Sequence, residues 1–411
     1  MAAMKKSATY FDLFRNRNYV LLFVGQLISY GGDALSRVAL PIYVYQTTES
    51  LSLLGSAFAL QYAPWILFGP IAGVISDRKN RRALLIGAVW IEALGLMGVL
   101  YSHAAWQMLS WILVSAMAQP LKIYVRQAFM PDLVGEELYS RAVSLNIIVV
   151  QTTDVLGIAL AGGIVAMIGP RRAIMLDVLT FALNSVFIVL AHIPQPHLQR
   201  SFAGRIGNEI AEGLTFILQN TGLRFILAVL TLRGLTMIGV FPLFVDFIES
   251  VLEKGPWEFG LFTAAASAGY VLSSIFAVRL EKKFSPWAML LGSTAASGLF
   301  LLPFFSVRTF WLLLGVRFLS ALFYGAGNLV GNVQIAQLTP SELRGRTTSV
   351  AWALIKLSQA ISSSGLGLLA SFLGSPSVIG LAGVILCLGS CGLGWMARPL
   401  THDPAIMRTN D

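Results

Sequence analysis

The stretch Gly69–Arg82 reads GPIAGVISDRKNRR and lies between two long apolar runs. Its apolar part is predicted to turn at Ser76-Asp77, and four cations follow within five residues, at Arg78, Lys79, Arg81 and Arg82. A short, strongly basic loop between two apolar segments stays on the cytoplasmic side of a membrane. Asp77 precedes the next helix, where a carboxylate can cap backbone N–H groups, and Gly73 permits close approach of another helix. We therefore predict that the apolar runs before and after this stretch each cross the membrane.

The composition is that of a chain embedded in lipid. Of its 411 residues, 56% are hydrophobic and 12% are charged, and the mean hydropathy is +0.73. Soluble domains carry about 25% charged residues. The net charge of +9 is distributed between apolar runs, whereas a nucleic-acid-binding protein gathers its cations on one polar surface. We therefore expect a bilayer as partner and no nucleic acid.

The sequence carries no enzyme motif. It lacks a Cys-X-X-Cys pair, a glycine-rich phosphate loop and a His-Glu pair, which are the local signatures of redox, nucleotide and metallopeptidase sites. Cys387 and Cys391 lie one helical turn apart in the last apolar run, where small residues serve packing more often than metal binding. We expect no catalysis, no cofactor and no metal.

Twelve apolar runs are long enough to span a bilayer, for which about 20 residues suffice. The first six runs are Asn18–Tyr45, Leu51–Ser76, Ala83–Tyr101, Ala105–Met130, Arg141–Ile168 and Ala173–His192. The second six are Leu223–Phe247, Trp257–Val278, Pro286–Phe305, Phe310–Leu338, Thr347–Leu373 and Pro376–Met396. We predict an all-α membrane protein with two six-helix bundles, over 18–193 and 223–397. A cytoplasmic arm (1–17), a linker with an amphipathic helix over Ile206–Gln219 (within 194–222) and a cytoplasmic tail (398–411) complete the chain.

Lysine and arginine distinguish the two sides of the predicted membrane protein. The loops on the side of the termini hold 19 of these residues, and the loops on the opposite side hold 4. Cytoplasmic loops carry the excess of cations. We therefore predict a multi-pass protein of the plasma (bacterial inner) membrane with both termini in the cytoplasm.

The two halves of the sequence look like copies of each other. Asp77-Arg78-Lys79 aligns with Glu281-Lys282-Lys283 at an offset of 204, and Arg141 aligns with Arg346 at an offset of 205. Nearly equal offsets at two separate loops predict two six-helix repeats, related by an axis along the membrane normal.

With the loop and the repeat in view, the sequence resembles the major facilitator superfamily over essentially its whole length. The resemblance is carried by Gly73, Asp77, Arg78, Arg81 and Arg82, which are similar to the superfamily's signature between its second and third helices. Asn80 stands where that signature usually has glycine, but Asn also tolerates a left-handed backbone. Gly32-Asp33, Glu212-Gly213 and the stretch from Pro340 to Arg346 narrow the resemblance to exporters of drugs, macrolides and siderophores such as enterobactin. The resemblance implies the twelve-helix fold, a small-molecule substrate and a monomer. It also implies that the loop signature locks the two halves together when the transporter faces outward.

Ionisable residues within the spans are candidates for coupling transport to protons, because each costs about 2.5–3.5 kcal/mol to insert. Asp33 and Arg37 are spaced i to i+4. They form either a self-neutralising structural pair or a proton-sensitive switch that faces a central cavity. Glu92, in the third span, is expected to be hydrogen-bonded, exposed to lipid or, as a third possibility, involved in coupling.

The fifth and eleventh spans carry related polar patterns. At the offset of 205, Gln151 and Asp154 correspond to Lys356 and Gln359. If both faces line the cavity, an acid in one half confronts a base in the other, and their interaction couples protonation or substrate binding to the approach of the halves.

Further substrate-binding candidates lie in the second half. Arg233 and Arg317 can hold an anionic group of a substrate, or can pair with Asp246 or with backbone carbonyls. Tyr324 is one of many aromatic residues within the spans, and Asn328 belongs to a polar stripe of the tenth span. Lys122 and Arg126 are expected to extend to the cytoplasmic surface, and Asp177 and Asp246, nearer the outer surface, are weaker candidates.

These features predict a proton-coupled exporter of an amphiphilic small molecule that works by alternating access. An importer or a carrier of lipids or metabolites with the same fold is the alternative, because the fold does not specify direction. A sensor or scaffold that does not transport is a third interpretation, and the charged residues within the spans argue against it.

Overall fold

The computed structural model describes residues 9–195, 206–280 and 283–397; for residues 67–74, 76–78, 206, 208, 209, 278, 280 and 397 the description covers the backbone alone. The first eight residues, Glu281 and Lys282 of the second loop, and the tail from 398 onward lie outside this range.

The described chain is built from long helices joined by short turns. After a short helix, Tyr10–Leu13, the first half contains α1 (Arg17–Thr48), α2 (Leu51–Arg78), α3 (Arg81–Leu100), α4 (Ala105–Val134), α5 (Glu136–Ile168) and α6 (Pro170–Leu190). The linker helix, Ile206–Gln219, has the predicted bounds. The second half contains α7 (Thr221–Val251), α8 (Pro256–Leu280), α9 (Pro286–Phe305), α10 (Phe310–Gln337), α11 (Arg344–Leu373) and α12 (Ser375–Ala397).

Ten of these helices, α3 to α12, are long and apolar enough to cross a membrane within the described residues. The two remaining long helices, α1 and α2, have 32 and 28 residues. Large apolar side chains stand on outward faces, with Met167 85% exposed and Leu388 68% exposed. In water such exposure would be costly, so lipid tails must cover these faces. The chain is a multi-pass, all-α membrane protein.

Polar side chains cap several helices at their N-termini. The Asn16 side chain accepts hydrogen bonds from the backbone N–H groups of Asn18 and Tyr19, at 3.0 and 3.2 Å. Asn80 does the same for α3, since its Oδ1 accepts from Ala83 N at 3.1 Å. These caps satisfy N–H groups that have no partner within the helix.

Equivalent turns in the two halves support the repeat. Gly169 and Gly374 end α5 and α11 with φ of 83° and 79°, a region that favours glycine because it has no Cβ. Their residue numbers differ by 205, the offset that the sequence predicts. The helices also pack in equivalent pairs across the halves, α2 on α11 and α5 on α8.

The linker helix distinguishes one end of the bundle, which we call the linker side; the opposite end is the far side. This helix packs on α11, where Arg346 forms an ion pair with Glu212. Gly213 lies so close that a Cβ there would be 2.9 Å from the Arg346 carbonyl oxygen. On the apolar face of the linker helix Ile217 is buried, whereas Ile210 is 45% exposed and Leu214 is 38% exposed.

Candidate functional site

A cavity of about 560 Å³ lies among the helices of the first half. It extends to the linker side, because Met130 and Tyr139 line it close to the ends of α4 and α5. Among the residues that the structure describes, Lys356 of α11 is the one that lines the cavity from the second half. Most of the wall is amide or hydroxyl groups, aromatic rings and charges, from Gln26, Tyr30, Asp33, Ser36, Arg37, Gln61, Tyr62, Trp65, Glu92, Gln119, Lys122, Arg126, Gln127, Asn146, Asp177 and Asn184.

Arg37 lines the cavity and forms an ion pair with Asp154 of α5. The predicted pair within α1, between Arg37 and Asp33, is therefore replaced by a pair between helices. The cause is local: residues Thr153–Gly157 form a π-helical segment in α5, and this segment contacts α1. A π turn changes the angular register of the residues that it contains, and this could not be predicted from a spacing of four residues.

Glu92 lies in a buried polar cluster. It is 3% exposed, and it accepts hydrogen bonds from Gln119 Nε2, at 2.8 Å, and from Lys122 Nζ. The structure thus rules out the lipid-exposed alternative for Glu92. Lys122 does not extend to the membrane surface as expected, since an ion pair with a buried carboxylate offsets the cost of its own burial. Arg126 also lines the cavity and hydrogen-bonds Tyr30.

Lys356 and Asp154 do not face each other in this conformation. Lys356 Nζ lies 5.0 Å from the ring centroid of Tyr62 of α2, a cation–π contact across the two halves. Gln359 is buried against α7 near Gly234, and Gln151 does not line the cavity.

The second half holds its two buried arginines within its own packing. Arg233 donates to Thr294 Oγ1 at 2.8 Å and to the Tyr324 carbonyl oxygen, and lies 4.6 Å from the Tyr324 ring centroid. Arg317 lies 4.7 Å from the ring centroid of Phe244. Of the substrate-binding candidates Gln151, Arg233, Arg317, Tyr324, Asn328 and Gln359, none lines the cavity in this conformation. A position in the sequence identifies the helix but not its rotation, and π segments at Gly234–Ile238 and Phe247–Val251 alter the register of α7.

Polar contacts between α1 and α7 join the two halves on the far side. Tyr45 bonds the Asp246 carboxylate and lies 2.9 Å from Ser250 Oγ, and Gln46 Nε2 donates to Glu249 Oε1 at 2.9 Å. Asp246 therefore pairs with the first half and not with Arg233 or Arg317. We call these contacts the far-side latch.

Two glycine contacts flank the latch. A Cβ built on Gly260 of α8 would lie 2.5 Å from Cα of Gly162 of α5. One built on Gly367 of α11 would lie 3.1 Å from Cα of Gly55 of α2. The two contacts are equivalent under the repeat, because Gly55 corresponds to Gly260 and Gly162 corresponds to Gly367 at the offset of 205. We call these two contacts the glycine seam, and backbones this close leave no space between the helices for a substrate.

Comparison with known proteins assigns the family. A family described as transmembrane secretion effectors of the major facilitator type matches residues 8–403. The chain is a member of the major facilitator superfamily. It is 24% identical over 378 residues to the Bacillus subtilis transporter YkuC, which is a major facilitator. The alignment covers 87% of this chain and 86% of YkuC. It is 22% identical over 263 residues to macrolide efflux protein A of Streptococcus pyogenes, with 62% of this chain and 65% of that protein aligned.

Solved structures of major facilitators share the fold. The nucleoside transporter NupG has a TM-score of 0.73 at 12% identity and covers 92% of this chain and 99% of its own. A bacterial homologue of ferroportin in an inward-facing state has a TM-score of 0.68 at 16% identity, with coverages of 91% and 98%. At such identities the similarity concerns the fold of this major facilitator and not its substrate.

The signature loop of the major facilitators differs locally from the expectation. Helix α2 continues through Arg78, so the turn is at Lys79-Asn80 and not at Ser76-Asp77. Asn80 has φ of −59° and caps α3, so its role is capping and not a left-handed turn. The side chains of Asp77 and Arg78 and the surroundings of Gly73 lie outside the described residues.

Arg81 and Arg82 of the loop contact their own half of the major facilitator. Arg81 is buried and donates to Asp132 Oδ2 of α4 at 2.9 Å and to the Pro194 carbonyl oxygen at 3.3 Å. Arg82 Nε donates to the Ile188 carbonyl oxygen at 3.2 Å. Asp132 was not anticipated from the sequence, although its position next to Pro131 near the linker-side end of α4 places it beside the loop.

Proposed function

We propose that the chain is a secondary active transporter that exports an amphiphilic small molecule, a drug or a siderophore, in exchange for protons. The observation that carries the proposal is the cavity, which reaches the linker side while the latch and the seam join the halves on the far side. A site accessible from one side at a time is what alternating access requires. The two six-helix bundles, 18–193 and 223–397, are the bodies that rock in this mechanism.

The distribution of charge supports the assignment of sides. The sequence assigns 19 Lys and Arg residues to the loops on the side of the linker and 4 to the loops on the opposite side. Since cytoplasmic loops hold the excess of cations, the linker side is the cytoplasm in this proposal, and both termini lie there. The cavity then collects its substrate from the cytoplasm, as an exporter in the bacterial inner membrane must.

The wall of the cavity supports an amphiphilic substrate. Tyr30, Tyr62 and Trp65 provide aromatic surface, and Gln61 and Asn146 are two of the amide side chains that line the same cavity. Pockets of a few hundred Å³ with apolar surface and a few polar groups bind drug-sized ligands. The relative that is a macrolide efflux protein favours export of such a molecule.

Proton coupling is assigned to the ionisable groups of the cavity region. Asp33, Arg37, Glu92 and Lys356 line the cavity, and Asp154 is bonded to Arg37. Groups whose partners change with the conformation bind protons with different affinities in the two states, and this difference couples the proton gradient to transport.

In the conformation that faces the far side, the signature loop acts as the lock on the linker side. Gly73 permits helix contact, and Asp77 and Arg78 meet a helix end of the second half. Arg233, Arg317, Tyr324 and Asn328 become candidates for substrate contact in that conformation, because rocking of the second half changes which of its faces line the central space.

Uptake is the alternative function. It is favoured by structural neighbours such as the D-xylose–proton symporter, with a TM-score of 0.67 at 15% identity. A sensor that does not transport is the third interpretation, and its charged residues would then have no cargo to couple.

Transport into inverted membrane vesicles tests the proposal. A radiolabelled macrolide should accumulate in vesicles that contain the protein when the lumen is acidic, and should not accumulate when the gradient is dissipated. Vesicles from cells without the protein are the control. Macrolide accumulation that does not depend on the proton gradient would contradict proton coupling. Accumulation only in right-side-out vesicles would establish uptake.

A further inference from the structure

Asp177 of α6 is a buried carboxylate that lines the cavity and that none of the roles above uses. It is 0% exposed. Its carboxylate accepts hydrogen bonds from the Ser36 hydroxyl of α1 and from Thr180 Oγ1, the latter at 3.2 Å. A Cβ on Gly32 of α1 would collide with Asp177 Oδ1 and Thr180 Oγ1. The carboxylate is therefore held against the backbone of α1 by close packing of two helices.

No cation neutralises Asp177 among the described residues. Lys122 of α4 acts on it electrostatically but is bonded to Glu92, and Arg37 of α1 is bonded to Asp154 of α5. Two acids also act on Asp177 electrostatically, Asp33 from α1 and Glu92 from α3. Asp177 is thus close to two acids, and Lys122, the base that acts on it, is already paired with Glu92.

This arrangement disfavours an ionised Asp177. A buried carboxylate without a counter-ion costs several kcal/mol, and neighbouring acids add repulsion. A proton removes both costs, and the neutral acid keeps its hydrogen bonds to two hydroxyl groups. We infer that Asp177 is a proton-binding site of this transporter, and that it carries the proton of the exchange.

Release of the proton follows from the neighbouring pair. When Lys122 turns from Glu92 toward Asp177, the O–H bond of Asp177 breaks and the proton passes to cavity water. The resulting carboxylate is stabilised by Lys122, Ser36 and Thr180. The inference rests on the proposed proton exchange for its role in transport, but protonation of Asp177 can be measured without any substrate.

Infrared spectroscopy of the protein in lipid bilayers tests the protonation. We expect the carbonyl stretch of a protonated carboxylic acid at neutral pH, lost at alkaline pH in the wild type. Asp177→Asn should lose this band, and the control Asp12→Asn, in the short helix outside the membrane, should keep it. A wild type without the band, or a D177N protein that retains it, would overturn the inference. A carboxylate band that shifts with sodium would overturn it in favour of a sodium site. If D177N fails to fold, labelling the wild type with aspartate that carries carbon-13 in its side-chain carboxyl group separates an aspartate band from one of Glu92, and a band that does not shift on labelling would overturn the inference.

Vesicle transport separates this inference from the proposed function. D177N should lose macrolide accumulation driven by the gradient, while exchange of labelled for unlabelled macrolide continues. Accumulation by D177N at the wild-type level would refute the coupling role of Asp177 and leave proton-coupled export intact. If the wild type ignores the gradient but shows the titrating band, the proposed coupling fails and the proton site stands.

Discussion

The ion pair of Arg37 and Asp154 is partly open to water, with side chains 50% and 25% exposed. At such exposure a pair contributes about 0–1 kcal/mol to stability. Its effect on the fold is therefore small, and its main consequence is positional. It holds the cavity-lining guanidinium of α1 against the π segment of α5, the helix that carries one side of the glycine seam.

Asp154→Asn should abolish macrolide accumulation driven by the proton gradient while the protein remains folded in the membrane. The substitution leaves Arg37 without its carboxylate but removes little stability. The measurement is vesicle transport, with detergent gel filtration to check folding. Asp12→Asn, in the short helix outside the membrane, is the control, and R37D/D154R should recover part of the activity. Unchanged transport by D154N contradicts the prediction.

Asp132→Ala should destabilise the protein by about 1–3 kcal/mol, because it leaves the buried Arg81 without its anion. Arg81 is 8% exposed in its side chain and Asp132 is 50% exposed, so the two partners do not contribute equally. The double variant R81Q/D132A should be more stable than D132A, since no uncompensated buried charge remains. Thermal unfolding in detergent measures both, and an additive result would show that the pair has no coupling.

At the level of residues, the sequence identified ionisable groups but not their partners. Apolar context singled out Asp33, Arg37, Glu92 and Lys356, and all four line the cavity. The same context could not show that Arg233 and Arg317 point into their own half, because rotation about a helix axis depends on tertiary packing and on π turns. The sequence alone makes Asp177 a weaker candidate because it lies nearer the outer surface, whereas the structure buries it where α6 packs closely against α1 at Gly32.

At the level of helices, hydropathy predicted the elements well because each span must satisfy its own backbone hydrogen bonds in lipid. The helix ends differ from the predicted ends where capping residues determine them: α2 extends to Arg78 and α3 begins at Arg81. The contacts of Gly55, Gly162, Gly260 and Gly367 were not anticipated. Their common spacing of 205 is present in the sequence, but 38 glycines give many such coincidences, and only the structure shows which pairs touch.

Gly260→Val should separate α5 from α8 on the far side, because a Cβ at this position has no space against Gly162. Gly367→Val should have the same effect at the equivalent contact with Gly55. A cysteine at the buried Ser363, in a protein with Cys387 and Cys391 replaced by serine, should then react faster with an impermeant maleimide. Gly315→Val is the control, since nothing lies within 4 Å of a Cβ there. Equal labelling of all variants would show that the seam does not seal the far side.

At the level of the whole molecule, repeat symmetry organises the closed side. Tyr45 and Ser250 are equivalent at the offset of 205 and contact each other, as equivalent residues do where a two-fold axis passes. The glycine seam lies on both sides of this contact. Sequence predicted the repeat, but a transporter sequence specifies both of its conformations, so which side is closed could not be read from it.

The far-side latch breaks this symmetry in its chemistry. Tyr45 and Gln46 of the first half donate, and Asp246 and Glu249 of the second half accept. The positions equivalent to the acids are Pro41 and Val44, which have no polar side chain. Each latch bond therefore joins a donor of one half to an acceptor of the other. When one partner is removed, the remaining polar group needs water, and water reaches it only when the far side is open.

Tyr45→Phe combined with Asp246→Asn should therefore shift the population toward a far-side-open conformation. Two lost hydrogen bonds at about 1 kcal/mol each correspond to a change of roughly 30-fold in the equilibrium constant. Spin labels at Thr47 and Lys254 should move apart, and labels at Ser140 and Ser341 on the linker side should approach. Thr48→Val, which loses a bond only to its own helix at Val44, is the control. If both distance distributions remain those of the wild type, the seam alone holds the far side closed.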